Sequence, residues 1–163
     1  MAEFSSLGAQ IVNPGESVTF TLNPVPCTKG LIRHREGSGS FLLSGKVNGC
    51  CKCNPAAVYY VNFGANISVP TGETPGAISL AIAIDGSTIQ DSTMTVTPAA
   101  VEEEFSVSRT KSVDIWRGCC ETVSVRNISA IPVQVSNPVI NFSKSDSSRN
   151  SCCCNGGNVA YVY

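Results

Sequence analysis

The sequence predicts an all-β protein, an antiparallel jelly-roll sandwich of about eight to ten strands followed by a cysteine-rich C-terminal tail. Helical periodicity is nearly absent. Short runs alternate apolar and polar residues instead, and Gly, Pro, Asn and Ser separate them, which is typical of strands joined by turns. The 163 residues suit one domain, and 42% apolar residues are enough for a core. Because aromatic residues make up only 7%, we expect that core to be aliphatic.

The clearest alternation lies in segment 77–84, where large aliphatic residues occupy every second position. Asp85-Gly86 follows at once and is a strong signal for a two-residue turn, so we expect 88–96 to return antiparallel. The opposite face of 77–84 carries only small side chains, which can lie against another sheet or a neighbouring subunit. We take these side chains as interface candidates: Ala77, Ser79, Ala81 and Ala83.

Further strands are expected wherever alternation recurs between turn signals: 17–22, 31–35, 40–46, 57–63, 66–69, 105–109, 112–116, 122–126, 132–136 and 139–143. One or two helical turns are expected at 97–102, where Thr97 can act as a cap and Pro98 takes the first helical position. Trp116 follows Val113 and Ile115 in an alternating run. That context favours a core position, with an interface anchor as the alternative.

A change of composition divides the chain into a jelly-roll domain, 1–143, and a tail, 144–163. The tail begins as a linker rich in Ser, Asn and Cys, and its end, 158–163, alternates again like a strand. Such a strand could close its own sheet or add to the exposed edge of a neighbour. Tyr161 and Tyr163 are therefore further interface candidates.

The charge balance argues against several classes of partner. There are 11 basic and 12 acidic residues, a net charge of −1, so no electrostatic footprint for nucleic acid or anionic lipid is present. No apolar run approaches the roughly 20 residues of a membrane span. Charged residues are 14%, well below the usual quarter, which suggests that partners cover much of the surface.

Cysteine is the anomaly, with nine residues in four groups: Cys27; Cys50, Cys51 and Cys53; Cys119 and Cys120; and Cys152, Cys153 and Cys154. Adjacent cysteines rarely bond to each other, because a disulfide requires a short Cβ separation and neighbouring strand residues point to opposite faces. Nine is odd, so a monomer cannot pair them all, and one must be free, metal-bound or shared with another chain. We expect disulfide cross-links between subunits.

Two alternatives to cross-linking remain open. Cys50-x-x-Cys53 has a spacing common in zinc sites, and Cys119 with Cys120 could complete a four-thiolate set. Plain buried or free thiols are the other alternative. The first residues carry no basic end or apolar stretch, so we expect synthesis in the cytosol without a signal peptide. Disulfides do not persist in the cytosol, so their formation requires release by lysis and oxidation at an extracellular or particle surface.

His34 is the sole histidine, and it lies between Arg33 and Arg35. A lone histidine is far more often structural than catalytic, and a triad requires a base beside a nucleophile. No motif around His34 supplies such a pair. We therefore expect no enzymatic activity and no cofactor.

Several segments carry a family resemblance: GAISLAIAIDG at 76–86, STM at 92–94, TPAAV at 97–101, RGCC at 117–120, VSVRNIS at 123–129, HREGSG at 34–39 and FGANI at 63–67. Together they resemble the tumour-necrosis-factor-like jelly-roll heads of collagen-like, exosporium-type proteins of spore-forming Firmicutes. The resemblance covers residues 10–143. It implies a jelly roll, a homotrimer and a structural role at a surface without catalysis.

Two departures from that family modify the expectation. There is no Gly-X-Y collagen segment, and the cysteines at 50–53 and 152–154 are additional. They favour a cross-linked assembly, closed or filamentous, such as a spore surface layer, an appendage or a similar extracellular particle. The first alternative is a binding module, the head of a phage capsid or fibre that touches glycans or another surface protein. The second is a thiolate metal-binding protein.

Overall fold

Two antiparallel sheets form a sandwich in the computed structural model, which describes residues 1–26, 30–46 and 56–145. The predicted all-β jelly-roll sandwich is thereby confirmed. The strands in the described residues are β1 (Ala2–Ser5), β2 (Ala9–Val12), β3 (Leu22–Val25), β4 (Ile32–His34), β5 (Ser40–Ser44), β6 (Ala56–Ser68), β7 (Ile78–Ile84), β8 (Ser87–Thr88), β9 (Met94–Val96), β10 (Phe105–Trp116), β11 (Cys120–Asn127) and β12 (Val133–Lys144).

The strand order places the first and last strands side by side. Sheet A runs β10-β6-β12-β1-β3, with β2 also paired to β12, and sheet B runs β4-β5-β11-β7-β8, with β9 also paired to β7. All of these pairings are antiparallel. None of the described helical segments is long and apolar enough to cross a membrane.

The core between the sheets is mostly aliphatic, as composition predicts, but its centre is aromatic. Phe41 has no exposed surface, and its ring centroid lies 4.8 Å from Phe4, 5.2 Å from Phe20 and 4.8 Å from Phe142. Tilted and edge-to-face contacts of this kind add about 0.5–1.5 kcal/mol each beyond burial. A low aromatic content therefore does not exclude an aromatic cluster, because nearly all of the phenylalanines converge on the interior.

Three pairs of predicted strands turn out to be single long strands. Segments 57–63 and 66–69 belong to β6, 105–109 and 112–116 belong to β10, and 132–136 and 139–143 belong to β12. The break expected in β12 is a bulge, at which Asn137 adopts a φ of 49° and the pairing register to β6 shifts. A bulge bends a strand without ending it.

The Asp85-Gly86 turn is confirmed, with φ values of 46° and 82°, and it joins β7 to β8. The returning strand expected at 88–96 is interrupted by a short 3₁₀ turn, Gln90–Ser92. The buried Ser92 hydroxyl causes the interruption: it donates to the Ile89 carbonyl at 2.6 Å and accepts from the Ile82 N–H at 2.9 Å. A side chain thus replaces part of the backbone ladder.

Two local predictions are wrong. Segment 97–102 forms turns rather than a helix, and Glu102 has a φ of 60°, which no right-handed helix allows. Segment 17–22 is not a continuous strand: Val18 and Phe20 are buried, but Ser17 makes only an isolated bridge to Arg126. Strands β1 and β2 were not expected, although the Asn13-Pro14-Gly15 turn that follows β2 is a local signal for the end of a strand.

Candidate functional site

The exposed cysteines lie where β10 turns into β11: Cys119 is in the turn, and Cys120 is the first residue of β11. β10 ends at Trp116, and the Trp116 carbonyl accepts a hydrogen bond from the Cys119 N–H at 3.0 Å. Gly118 adopts a φ of 83°, a conformation that glycine reaches without steric cost. The turn therefore presents Cys119 and Cys120 to solvent, and neither forms a disulfide with another described residue.

Strand β5 supports this turn from the side. The Gly45 N–H donates to the Cys119 carbonyl at 2.8 Å, and Cys120 pairs with Ser44. A Cβ atom on Gly45 would lie 1.9 Å from the Trp116 carbonyl oxygen, far inside contact distance. Only glycine fits there, so the position of the cysteine turn depends on Gly45.

Two depressions flank the thiols. One, with a volume of about 400 Å³, is lined by Ser44, Gly45, Lys46, Arg117, Gly118, Cys119 and Cys120. A smaller one of about 80 Å³ is lined by Gly30, Leu31, Arg33, Leu42, Ser44 and Cys120. We call residues 44–46 together with 117–120 the cysteine end. Cys120 lines both depressions, so a partner thiol can approach it from either side.

The segments that carry the other cysteines are attached close to the cysteine end. Lys46, which precedes segment 47–55, lines its larger depression, and Ala56, which follows that segment, pairs with Trp116. Gly30, next to segment 27–29, lines the smaller depression. Ser145, the last described residue, donates its N–H to the Val58 carbonyl at 2.8 Å, two positions from Ala56. The topology therefore attaches these segments at one end of the sandwich.

Seven of the nine cysteines lie outside the described residues: Cys27, Cys50, Cys51, Cys53, Cys152, Cys153 and Cys154. Within the described part of the chain, no group of three or more His, Cys, Asp or Glu residues could hold a metal. Cys119 and Cys120 alone are not a metal site, so the expected four-thiolate set with Cys50 and Cys53 stays a prediction.

The small-residue face of β7 is partly buried within the monomer. Ala81 and Ala83 have no exposed surface, although they point away from the main core. The Ser79 hydroxyl lies 2.7 Å from the Thr95 hydroxyl on β9, and Ala77 is exposed just before the strand. A partner approaching this face would therefore contact Ala77 and the edge of Ser79 rather than all four residues. Tyr161 and Tyr163 lie outside the described residues.

Trp116 does not enter the core, so the core interpretation of this residue is wrong. Its side chain is 59% exposed, whereas Val113 and Ile115 are buried. The parity of β10 explains the difference: Val113 and Ile115 are two positions apart on the inner face, and Trp116 is one position further along, on the outer face. The interface alternative for Trp116 stays a prediction.

A polar surface on sheet A was not anticipated. Its side chains are mainly amides and hydroxyls, and the central ones are Tyr60, Asn62, Asn66, Ser106, Ser108, Thr110, Ser112, Asn141 and Ser143. The Ser106 hydroxyl donates to Asn66 Oδ1 at 2.7 Å, and the Thr110 hydroxyl donates to Asn62 Oδ1. Asn141 Oδ1 is buried without a hydrogen-bond partner among the described residues. The signal was present in the sequence as Ser or Thr at alternate positions of 106–112.

His34 has a structural role, because its ring packs against the aromatic part of the core. Its ring stacks on Phe41 with centroids 4.4 Å apart, Nδ1 lies 3.2 Å from the Ser40 carbonyl oxygen, and Nε2 lies 3.1 Å from the Phe20 carbonyl oxygen. Both ring nitrogens therefore face backbone carbonyls. Among the described residues, neither nitrogen is directed at a nucleophile.

Comparison with known proteins supports the fold. No protein-family model matches the chain, and no curated protein sequence matches it. Among solved structures, the globular domain of zebrafish complement 1qA protein is similar over 87% of this chain and 94% of that chain, with 14% identity and a TM-score of 0.54. A family 35 carbohydrate-binding module from Clostridium thermocellum aligns over 86% of this chain and 98% of that chain, with 12% identity and a TM-score of 0.35.

The first of these similarities shows a jelly-roll fold and nothing finer, because its identity is low. The second has a TM-score too low to carry an argument. The jelly-roll part of the resemblance is confirmed. The link to collagen-like spore proteins stays a prediction.

Proposed function

We propose that the chain is a structural building block that assembles with copies of itself and is cross-linked through the cysteine end. The observation that carries this proposal is the pair of exposed thiols at Cys119 and Cys120, beside the points where the other cysteine-bearing segments attach.

The position of the two thiols and the odd number of cysteines support cross-linking between subunits. Adjacent cysteines rarely meet the Cβ separation of a disulfide, so we expect Cys119 and Cys120 to have separate partners. The candidates are the seven cysteines outside the described residues: Cys27, Cys50, Cys51, Cys53, Cys152, Cys153 and Cys154. Since the total is odd, complete pairing requires a second chain. Each bond that closes a loop adds about 2–4 kcal/mol.

The setting we propose is a spore surface layer, an appendage or a similar extracellular particle. Subunits made in the cytosol would be released by lysis and oxidised afterwards, because thiols stay reduced in the cytosol. The assembly would be a closed homo-oligomer, such as a trimer, or a filament. The low content of charged residues, 14%, supports a surface that is largely covered by other subunits.

A binding module is the second candidate, and the polar surface of sheet A favours it. Amide and hydroxyl groups side by side on the outer face of a sheet can hydrogen-bond sugar hydroxyls, and Ser108 and Ser112 are exposed there. A head of this kind on a phage capsid or fibre would touch glycans or another surface protein.

The proposal is tested by mapping disulfides in the native assembly after free thiols have been blocked. We expect peptides containing Cys119 or Cys120 to be linked to cysteines of another chain, and Cys119→Ser with Cys120→Ser to lower the yield of covalent multimers. Glu36→Gln, at an exposed turn position between β4 and β5, serves as a surface control outside the cysteine end. Blocked, unlinked Cys119 and Cys120 in an intact assembly would contradict the proposal, and stoichiometric zinc would support the metal alternative.

A further inference from the structure

We propose that β10 pairs with β10 of a second copy of the chain, antiparallel and across a two-fold axis at Thr110, so that sheet A continues through two subunits. The inference deepens the proposed self-assembly, and it is independent of disulfides. The interaction surface is the free edge of β10, and the partner is the same edge of another copy.

The edge itself is long and open. β10 pairs with β6 through all of its 12 residues, and no described strand pairs with its other side. Every second residue of an edge strand directs its N–H and C=O outward, ready to accept a new strand. The other edges are poor templates: β3 has 4 residues and contains Pro24, β4 has 3 and β8 has 2.

The middle of β10 is also accessible. An open depression of about 570 Å³ runs beside it and is lined by Asn62, Phe63, Asp91, Ser108, Arg109, Thr110, Lys111 and Ser112. The five lining residues contributed by β10 are centred on Thr110. The middle of β10 is therefore open to solvent around the residue through which the proposed two-fold axis passes.

The sequence of β10 has the self-complementarity that a two-fold interface requires. In an isologous antiparallel pair centred on Thr110, residue 110 − n faces residue 110 + n of the partner. Residues at equal distances from Thr110 match in size and polarity on each face: Arg109 with Lys111, Ser108 with Ser112, Val107 with Val113, Ser106 with Asp114, and Phe105 with Ile115. Aliphatic side chains would meet on the inner face and small polar ones on the outer face.

The central cations decide whether this pairing is tolerated. Arg109 and Lys111 point to the inner face, and like charges directly opposite each other destabilise a strand pair. Inward charges on an edge can even protect it from pairing. Here Asp91 offsets them: Lys111 Nζ lies 2.6 Å from Asp91 Oδ2, and Arg109 Nε donates to the Asp91 carbonyl at 3.1 Å. Both cations are thereby held toward sheet B.

The number of new contacts is sufficient for a specific interface. Eleven residues paired with eleven would form roughly ten backbone hydrogen bonds, as many as a typical protein interface contains. A shift by one residue is disfavoured because it would place Val107 and Val113 opposite polar side chains. The inference therefore specifies one partner, one axis and one register.

Cross-linking at position 110 tests the axis directly. Thr110→Cys places two thiols face to face on the two-fold axis, so mild oxidation should give a peptide 106–116 linked to itself through position 110 after cleavage at aromatic residues. Ser106→Cys is the matched control, because it is exposed on the same face of β10. Position 106 would lie roughly 27 Å from its own copy, beyond the reach of a disulfide. Equal yields from the two variants, or none from Thr110→Cys, would overturn the proposal.

Association in the presence of reductant tests the role of Asp91. Asp91→Asn should weaken self-association roughly two- to fivefold in sedimentation equilibrium at low salt, and added salt should restore part of it. Asp85→Asn, in the turn after β7, is the control that should leave association unchanged. If the protein is monomeric under reductant, the β10 pairing is wrong even where disulfide mapping supports the cysteine end. If the protein self-associates under reductant while Cys119 and Cys120 are unlinked in the native assembly, the β10 pairing stands and the proposed cross-linking is wrong.

Discussion

At the scale of the residue, the cysteine end depends on Gly45. Its N–H holds the Cys119 carbonyl, and any side chain would collide with the backbone at Trp116. The collision is with backbone rather than with a mobile side chain, so relaxation requires the turn itself to move. Chemistry at Cys119 and Cys120 thus relies on a residue that carries no functional group.

Gly45→Ala should lower the free energy of unfolding by about 1–3 kcal/mol, the usual cost of overpacking a tight site. Gly76→Ala is the control, because its Cβ would meet only the Thr74 carbonyl oxygen, at 3.9 Å. Urea denaturation under reducing conditions measures both variants. Equal stabilities for the two would show that the turn tolerates a side chain at position 45.

Asp85 links the β7–β8 turn to β11. Its carboxylate accepts the Thr122 N–H at 2.7 Å and the Thr122 hydroxyl at 2.8 Å, and these hydrogen bonds hold the pKa of Asp85 below its usual value. A carboxyl whose folded pKa is lowered stabilises the fold above its unfolded pKa of about 3.9, and that contribution is lost as the pH falls through the folded pKa.

Asp85→Asn should therefore reduce the loss of stability between about pH 7 and about pH 3. Asparagine keeps the side-chain acceptor and tolerates the φ of 46° at this position, so the turn itself should persist. Urea denaturation of the variant and the wild type at both pH values gives the comparison. An unchanged pH dependence would show that other carboxyls, such as Asp91, account for the acid sensitivity.

At the scale of the element, alternation predicts which faces of a strand are buried better than it predicts where the strand ends. β6, β10 and β12 were each expected as two strands, because glycine, charged and proline-containing dipeptides resemble turns in sequence. Pairing on a neighbouring strand overrides these local signals, since a bulge at Asn137 or a glycine at position 64 costs less than losing the ladder. The exposure of the Trp116 side chain follows from the alternation of inner and outer positions along β10 alone.

The small residues of β7 illustrate what alternation cannot decide. Their side of the strand was predictable, but the burial of Ala81 and Ala83 within the monomer was not. Ala83→Leu should lower the free energy of unfolding by about 1–3 kcal/mol through overpacking. Ala77→Leu, at an exposed position next to the same strand, should change it by less than about 0.5 kcal/mol. Similar values for both would mean that the face is open to a partner.

At the scale of the whole molecule, the sequence predicts the class of fold and a cross-linking chemistry for its cysteines. It does not predict that the cysteine-bearing segments attach at the same end of the sandwich. The attachment of three cysteine-bearing segments at one end depends on β10, β5 and β12 ending together, and only the sheet topology brings those ends together. The same holds for the pairing of β1 with β12, which joins opposite ends of the chain. Long-range register is not encoded in any local run of residues.

The arrangement suggests a subunit with two routes to assembly. The cysteine end would supply covalent bonds, and the free edge of β10 would supply a non-covalent contact that aligns subunits before oxidation. Reversible pairing before covalent bonding would let misplaced subunits dissociate.

The measurement that tests the central claim most directly is the intact mass and gel mobility of the native assembly, with and without reductant, after blocking of free thiols. Covalent self-assembly predicts discrete multimers that fall to a 17.1 kDa chain only with reductant. A 17.1 kDa chain in both conditions, with most thiols blocked, would contradict it.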